Sequence, residues 1–411
     1  MKFTYQSTAG CSLLAAALFL LPACTKKLEQ NTRIGLEDES MSVVAAAAAP
    51  QSHSYLKLFD GGPSGQHSFR IPSIVKTRNG TLIAMCECRR WNNSDWGDIN
   101  VVFKRSFDNG ATWTQMGEIA ASGNGTWGNP TSVYDPAQGS NGRVWVFLSW
   151  NDGTHTSMST IDSWGDRKVY SCYSDDHGAT WSAPVDRTST LLPPGYAWDA
   201  MGPGIGIVTQ FNNPGRLIIP ALRRNIYSDD HGATWQYQLI PGGTDEGTII
   251  ERMNGTLMRN DRPTTSQWEA SKRRRISTGT IEGGFSSFTS DGTLLDPKCQ
   301  GSILRYNTDS PNRIVFLNSA STVTRGKMRV RISYDNGQTW PISRRIYDWL
   351  TEAQAQAQGK GGYSSMIKTA DYHVGALIEI NEDTGNNSTS HRSIEFHKFN
   401  LPWMLNGNPE P

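Results

Sequence analysis

Four short stretches of the chain carry side chains able to do chemistry. They are Phe69-Arg70-Ile71-Pro72, Arg89 with Asn93-Ser94-Asp95, Asp245-Glu246 with Glu251 and Arg262 downstream, and Gly361-Gly362-Tyr363-Ser364-Ser365. A carboxylate can move a proton, and an arginine offers an anion a planar fork of donors. A tyrosine, with an ordinary pKa of about 10, can attack only with help. The formal net charge is +1, so there is no overall basic field to draw nucleic acid, and an acidic ligand must be met by a local cluster of arginines. Metal chemistry has little to work with: Cys86, Cys88, Cys172 and Cys299 form no CxxC. Cys86 and Cys88 alternate along an expected strand and share one face, which reads as packing. The glycine-rich Met201–Gly206 is not a phosphate loop, because no Lys-Ser/Thr and helix follow it. Several assignments stay open at this level. Asp98 rivals Asp95, Asp245 rivals Glu246, Arg259 rivals Arg262, and a tyrosine flanked by glycines is more often a packing residue.

The elements that must position these residues come from a repeat. The pattern S-x-D-x-G-x-T-W occurs four times, at Ser106–Trp113, Ser174–Trp181, Ser228–Trp235 and Ser333–Trp340. In each copy the aspartate can bond its own loop backbone, the glycine supplies a positive φ, and the tryptophan begins the next strand. Such a box is a hairpin turn. It recurs, whereas a catalytic residue occurs once, so the boxes are scaffold. Asp108, Asp176, Asp230 and Asp335 stand 68, 54 and 105 residues apart, and the doubled last interval predicts a degenerate copy near Ser277–Phe285. A period of about 50–60 residues fits a four-stranded blade. Roughly 350 residues from Ser54 onward then make an all-β, six-bladed propeller over residues 54–411. The alternation in Ile394–Phe399 predicts a closing strand paired with Tyr55–Phe59. No alternating βα pattern is present to argue for a parallel sheet.

The N-terminus reads as a targeting segment. Lys2 precedes the apolar run Leu13–Leu21, too short to span a bilayer comfortably. Leu21-Pro22-Ala23-Cys24 resembles the lipobox of bacterial lipoprotein signal peptides, in which the cysteine sulfur takes a lipid. Residues 1–24 are thus expected to be a signal peptide and 25–53 a flexible tether that includes the alanine-rich Val43–Ala49. Thr25 stands where an inner-membrane retention signal would place Asp, so the expected location is the outer membrane, reached through the lipid alone.

The repeats resemble the Asp-boxes of sialidases, and Phe69-Arg70-Ile71-Pro72 is similar to the FRIP motif of that family. The resemblance to bacterial exo-sialidases covers nearly all of residues 54–411. It implies that Asp95, 25 residues after Arg70, is the acid/base, and that Arg89 is an accessory arginine touching the sugar. It implies that Glu246 works with the nucleophile, that Glu251 orients an arginine, and that Arg70, Arg262 and Arg325 bind the substrate carboxylate. Arg325 lies 15 residues before Trp340. Tyr363-Ser364 matches the family's nucleophile motif. The chemistry implied is hydrolysis of terminal sialic acids on glycoproteins, glycolipids or oligosaccharides, with retention and no metal or organic cofactor. A carboxylate nucleophile would be repelled by the sugar's own carboxylate, and a phenol avoids this. Two other readings fit parts of the pattern: a hydrolase of a related 2-keto-3-deoxy acid such as KDN or Kdo, and a non-catalytic glycan-binding propeller. Trp91, Trp96, Trp198 and Met201 are candidate pocket walls.

Overall fold

The structure is a computed structural model in which residues 49–62, 65–381 and 392–411 are described. Within them the chain forms six antiparallel blades. The first holds Ser68–Lys76, Leu82–Arg89, Ile99–Ser106 and Gly117–Ala120, and the second Thr126–Asp135, Arg143–Asn151, Arg167–Ser174 and Val185–Asp186. These run on as one hydrogen-bonded sheet, but a single parallel bridge, Ile99 to Thr126, is what joins their ladders, so they are two blades. The third is Ile207–Val208, Leu217–Ala221, Arg224–Ser228 and Gln236–Leu239. In the fourth, Thr244–Glu251, Leu257–Pro263 and Arg273–Thr280 are followed by Gly284–Phe285 and Thr289–Leu295, which share one edge. The fifth is Ser302–Asn307, Arg313–Ser319, Met328–Ser333 and Ile342–Arg345.

The sixth blade closes the ring as expected. Lys360–Lys368, Val374–Ile380 and Ser393–Phe399 take their outer strand, His53–Phe59, from the other end of the chain. Tyr55 faces His397 and Phe59 faces Ile394. The expected tether ends earlier than residue 53: the Asn400 side chain already bonds Ser52 N (3.0 Å) and the Pro50 carbonyl (2.7 Å). Cys24, the apolar run and most of the tether lie outside the described residues. Among the described residues no helix is long and apolar enough to cross a membrane.

The core lies between blades. Phe59, Phe69, Leu82, Leu377, Ile394 and Phe396 pack the sixth blade on the first, and Cys86 and Cys88 are buried in the same cluster. The boxes sit at the ends of third strands. In the second blade, Asp176 accepts from Thr180 N (2.9 Å) and Thr180 Oγ1 (2.6 Å), and the Ser174 hydroxyl accepts from Gly178 N (2.8 Å). Gly178 has φ +77°, and a Cβ there would also lie 2.6 Å from Ile83 of the preceding blade. The glycine is therefore required by a close approach as well as by its dihedral. The turn of the fourth blade, at residues 281–283, has no box and falls where the degenerate copy is expected.

Strand direction separates scaffold from site. Third strands run parallel to the innermost ones, so the boxes collect on the face where innermost strands end. The starts of innermost strands and the ends of second strands meet on the opposite face. There, four innermost strands break register, at Arg70/Ser73, Gly128/Thr131, Thr244/Gly247 and Lys360/Ser364. A bulge bends its strand and re-aims side chains. Side chains from all four breaks line one cavity.

Candidate active site

A cavity of about 200 Å³ opens on that face. Arg70, Arg89, Asp95, Glu246, Arg262, Arg325 and Tyr363 all line it, together with Glu87, Asn129, Arg167 and Trp198. Tyr363 is fourth in Lys360–Lys368 and Glu246 third in Thr244–Glu251, so each projects from the bulged start of an innermost strand. The Tyr363 hydroxyl lies 2.6 and 2.5 Å from the two oxygens of Glu246. Arg262, from the end of the neighbouring strand Leu257–Pro263, donates through Nη1 to Glu246 (2.6 Å) and to the Tyr363 oxygen (2.7 Å). Burial pushes the Tyr363 phenol well above its usual pKa. Glu246 adds to this, while Arg262, Arg325 and Arg70 pull the other way. Burial also raises Glu246, against the opposing charge of Arg262. Burial thus favours the protonated phenol, and its hydrogen bonds lead directly to the Glu246 carboxyl oxygens.

Arg70 is held from behind. Its Nε and Nη2 each donate to one oxygen of Glu379 at 3.2 Å, and Glu379 also accepts from Ile71 N (2.8 Å) and Tyr363 N (3.0 Å). One buried carboxylate thus fixes the arginine and both strands that carry it and the tyrosine. Ile71 sits at φ +58°, in the left-handed region that a β-branched residue avoids. The Glu379 bond to its N–H holds that strained conformer next to the site. The Arg70 guanidinium lies 5.1 Å from the centre of the Tyr363 ring and that of Arg325 5.3 Å from it.

Asp95 hangs over this floor from the loop after Leu82–Arg89. Its Oδ1 pairs with Arg89 Nη2 at 2.8 Å and with Arg70 Nη1 at 3.3 Å. More than half of its side chain, 58%, is open to solvent. Desolvation by its neighbours raises its pKa, but Arg89 and Arg70 outweigh that and hold the carboxyl at about 2. The floor is thus cationic, with a phenol at its centre and a carboxylate on its rim.

Residues 97–376 match the family of the BNR repeat-like domain. The chain is 46% identical over 371 residues to the exo-alpha-sialidase of Aspergillus fumigatus, covering 84% of this chain and 86% of that one. It is 44% identical over 367 residues to the exo-alpha-sialidase of Arthroderma benhamiae, with the same coverage. The chain belongs to the exo-α-sialidase family. In architecture it resembles the Hadza microbial sialidase Hz136, with a TM-score of 0.71, 24% identity, and coverage of 84% of this chain and 68% of that one.

Glu251 does not reach the site. It lies at the far end of the strand that carries Glu246 near its start, five residues or about 16 Å away. There it accepts from the backbone N–H groups of Gln210 (2.5 Å), Phe211 (3.1 Å) and Asn212 (2.7 Å), and the arginine beside it is Arg305. Arg259 is buried in the fourth blade, paired with Asp261. Asp98 accepts from the exposed Trp91 indole (3.2 Å) and does not line the cavity. Asp245 does line it, 3.7 Å from Arg262 Nε, but does not touch the tyrosine. Trp198 is a wall, whereas Met201 is buried in the blade core.

Glu379 and Glu87 also shape the site, and no sequence motif marks them. Each is a glutamate in a strand whose other residues are mostly apolar, Val374–Ile380 and Leu82–Arg89. That contrast was the available signal, because a buried carboxylate must be paired.

Proposed function

We propose that the chain is a retaining exo-α-sialidase that works through a tyrosyl-enzyme intermediate. The observation that carries this reading is the Tyr363 hydroxyl, shared between Glu246 and Arg262 on the floor of an arginine-lined cavity. A sugar carboxylate would lie among Arg70, Arg262 and Arg325 with charge-assisted bonds. The anomeric carbon attached to that carboxylate would then stand over the tyrosine. As the phenol oxygen attacks, its proton passes to Glu246, and the glycosidic oxygen leaves with a proton from Asp95. Water, deprotonated by Asp95, then displaces the tyrosine oxygen, which recovers its proton from Glu246.

Asp95 at about 2 is ionised in the free site at neutral pH. Binding supplies the correction. The incoming carboxylate draws on the charge of Arg70, and the sugar covers the exposed face of Asp95, so both changes raise its affinity for a proton.

The test is release of 4-methylumbelliferone from its sialoside by protein lacking residues 1–24. Tyr363→Phe is expected to cost about a hundredfold or more in kcat. Turnover of a KDN or Kdo glycoside but not the sialoside would change the substrate. No turnover on any of them, or an active Tyr363→Phe, would reject the mechanism. We also propose export with a lipid on Cys24, a reading supported by the four residues Leu21–Cys24.

A further inference from the structure

Glu87 lies at the edge of the cavity, and both of its carboxylate oxygens are occupied. It precedes Arg89 by two residues in one strand, so the two side chains leave the same face. Oε2 accepts from Arg89 Nε (3.1 Å) and Nη2 (2.8 Å). Oε1 crosses to the second blade and accepts from the Asn129 backbone N–H (3.0 Å). That blade is shaped to receive it. Asn129 has φ +55° within the register break, and a Cβ on Gly128 would stand 2.6 Å from Glu87 Oε1.

Arg89 spends its remaining donors on the loop above. Nη1 bonds the Asn93 carbonyl (2.7 Å) and Nη2 pairs with Asp95 (2.8 Å). A continuous chain of contacts therefore runs from the rigid wall of the second blade, through Glu87 and Arg89, to Asp95. The guanidinium charge is shared by two carboxylates, one buried and one on the rim. Without the buried one, Arg89 would act on Asp95 alone, binding its ionised form more tightly and opposing proton delivery. It would also lose the anchor that sets its angle.

We propose that Glu87 is a positioning residue for the acid/base. It takes up part of the Arg89 charge and fixes that side chain, so that Asp95 stays over the cavity and can hold a proton when substrate is bound. The proposal rests on the reading of Asp95 as the acid.

The experiment compares two leaving groups with the full chain. A 4-methylumbelliferyl sialoside departs with little need of a proton, whereas 3′-sialyllactose needs one. Glu87→Gln keeps the shape and removes the charge. It is expected to lower kcat/KM on sialyllactose by about 30- to 100-fold and on the aryl sialoside by less than about fivefold. The alkaline limb of its pH profile on sialyllactose is expected to move to lower pH. Gly128→Ala keeps the charge but displaces the carboxylate, and should show the same discrimination to a smaller degree. If Glu87→Gln does not fold, Gly128→Ala decides alone. Equal losses on both substrates with an unmoved limb would make Glu87 merely structural and overturn the proposal. Asp95→Asn separates the two levels: if it shows no leaving-group discrimination, the acid assignment fails and the proposal with it. If it discriminates while the Glu87 and Gly128 variants do not, the proposal fails alone.

Discussion

Arg70 touches two carboxylates, and replacing each should have opposite consequences. Glu379 is fully buried, and Arg70 beside it is only 7% exposed. Glu379→Gln keeps the volume but substitutes an NH2 for one oxygen. Of the four donors that converge on Glu379, two then face a donor: either Arg70 Nε and Ile71 N, or Arg70 Nη2 and Tyr363 N. Breaking a buried pair from one side costs about 3–5 kcal/mol, since the other charge is left uncompensated. The unbonded N–H groups are part of that figure and do not add to it in full. For a domain of roughly 360 residues the cost corresponds to a fall in Tm of roughly 4–7 °C. Asp95 is paired to the same guanidinium, but 58% of its side chain is in solvent. Asp95→Asn should therefore change stability by less than about 1 kcal/mol, while activity on natural glycosides falls by about a hundredfold or more. The assay is differential scanning calorimetry of both variants and the parent at one scan rate and pH 7, with kinetics on 3′-sialyllactose. Midpoints of the two variants within about 2 °C of each other would refute the argument from burial.

Two further outcomes can be checked. In the closing blade, His53 Nε2 lies 3.0 Å from His397 Nδ1, with Asp348, Arg344 and Glu395 also acting on His53 and Glu395 and Lys360 on His397. Burial, then the charge of His397, lowers His53 to about 3, below its unfolded value of about 6.5. The unfolded chain therefore binds more protons, and stability is lost as pH falls through 6.5 toward 3. At pH 5 this amounts to about 2 kcal/mol from His53. Glu395, held at about 2 against an unfolded value of about 4.5, loses its contribution as pH falls from about 4.5 toward 2, below the range between pH 7 and pH 5. His53→Gln should accordingly shrink the fall in melting temperature between pH 7 and pH 5, and an unchanged fall would reject this account. In a Gram-negative bacterial host, the full-length chain should fractionate with membranes and Cys24→Ser with soluble proteins. An identical distribution would remove the lipid proposal.

The repeat was legible because it is local. Each box closes on itself through bonds between residues two to four apart, such as Ser174, Asp176, Gly178 and Thr180, so its geometry is written in consecutive letters. Blade number followed from box spacing. Closure followed from the alternation of Ile394–Phe399. Most site residues were recognisable because they sit in short motifs, and the boxes served as a ruler for Arg325, 15 residues before Trp340.

What distance along the chain could not decide was which groups face each other. Glu246 and Glu251 share one strand and one residue type, yet only Glu246 lies at the bulged end beside Tyr363, 117 residues away in sequence. Asp95 and Asp98 share a loop, and only Asp95 meets two arginines. Glu379 binds Arg70 from 309 residues away, and Glu87 is locked by a backbone N–H of the next blade. Hydrophobic patterning and turn chemistry act over a few residues, so the sequence alone determined the blades, their order and most of the charged groups that line the cavity. A buried charge is satisfied by whatever ring closure brings within about 3 Å of it. Which carboxylate holds which arginine was decided by the tertiary structure.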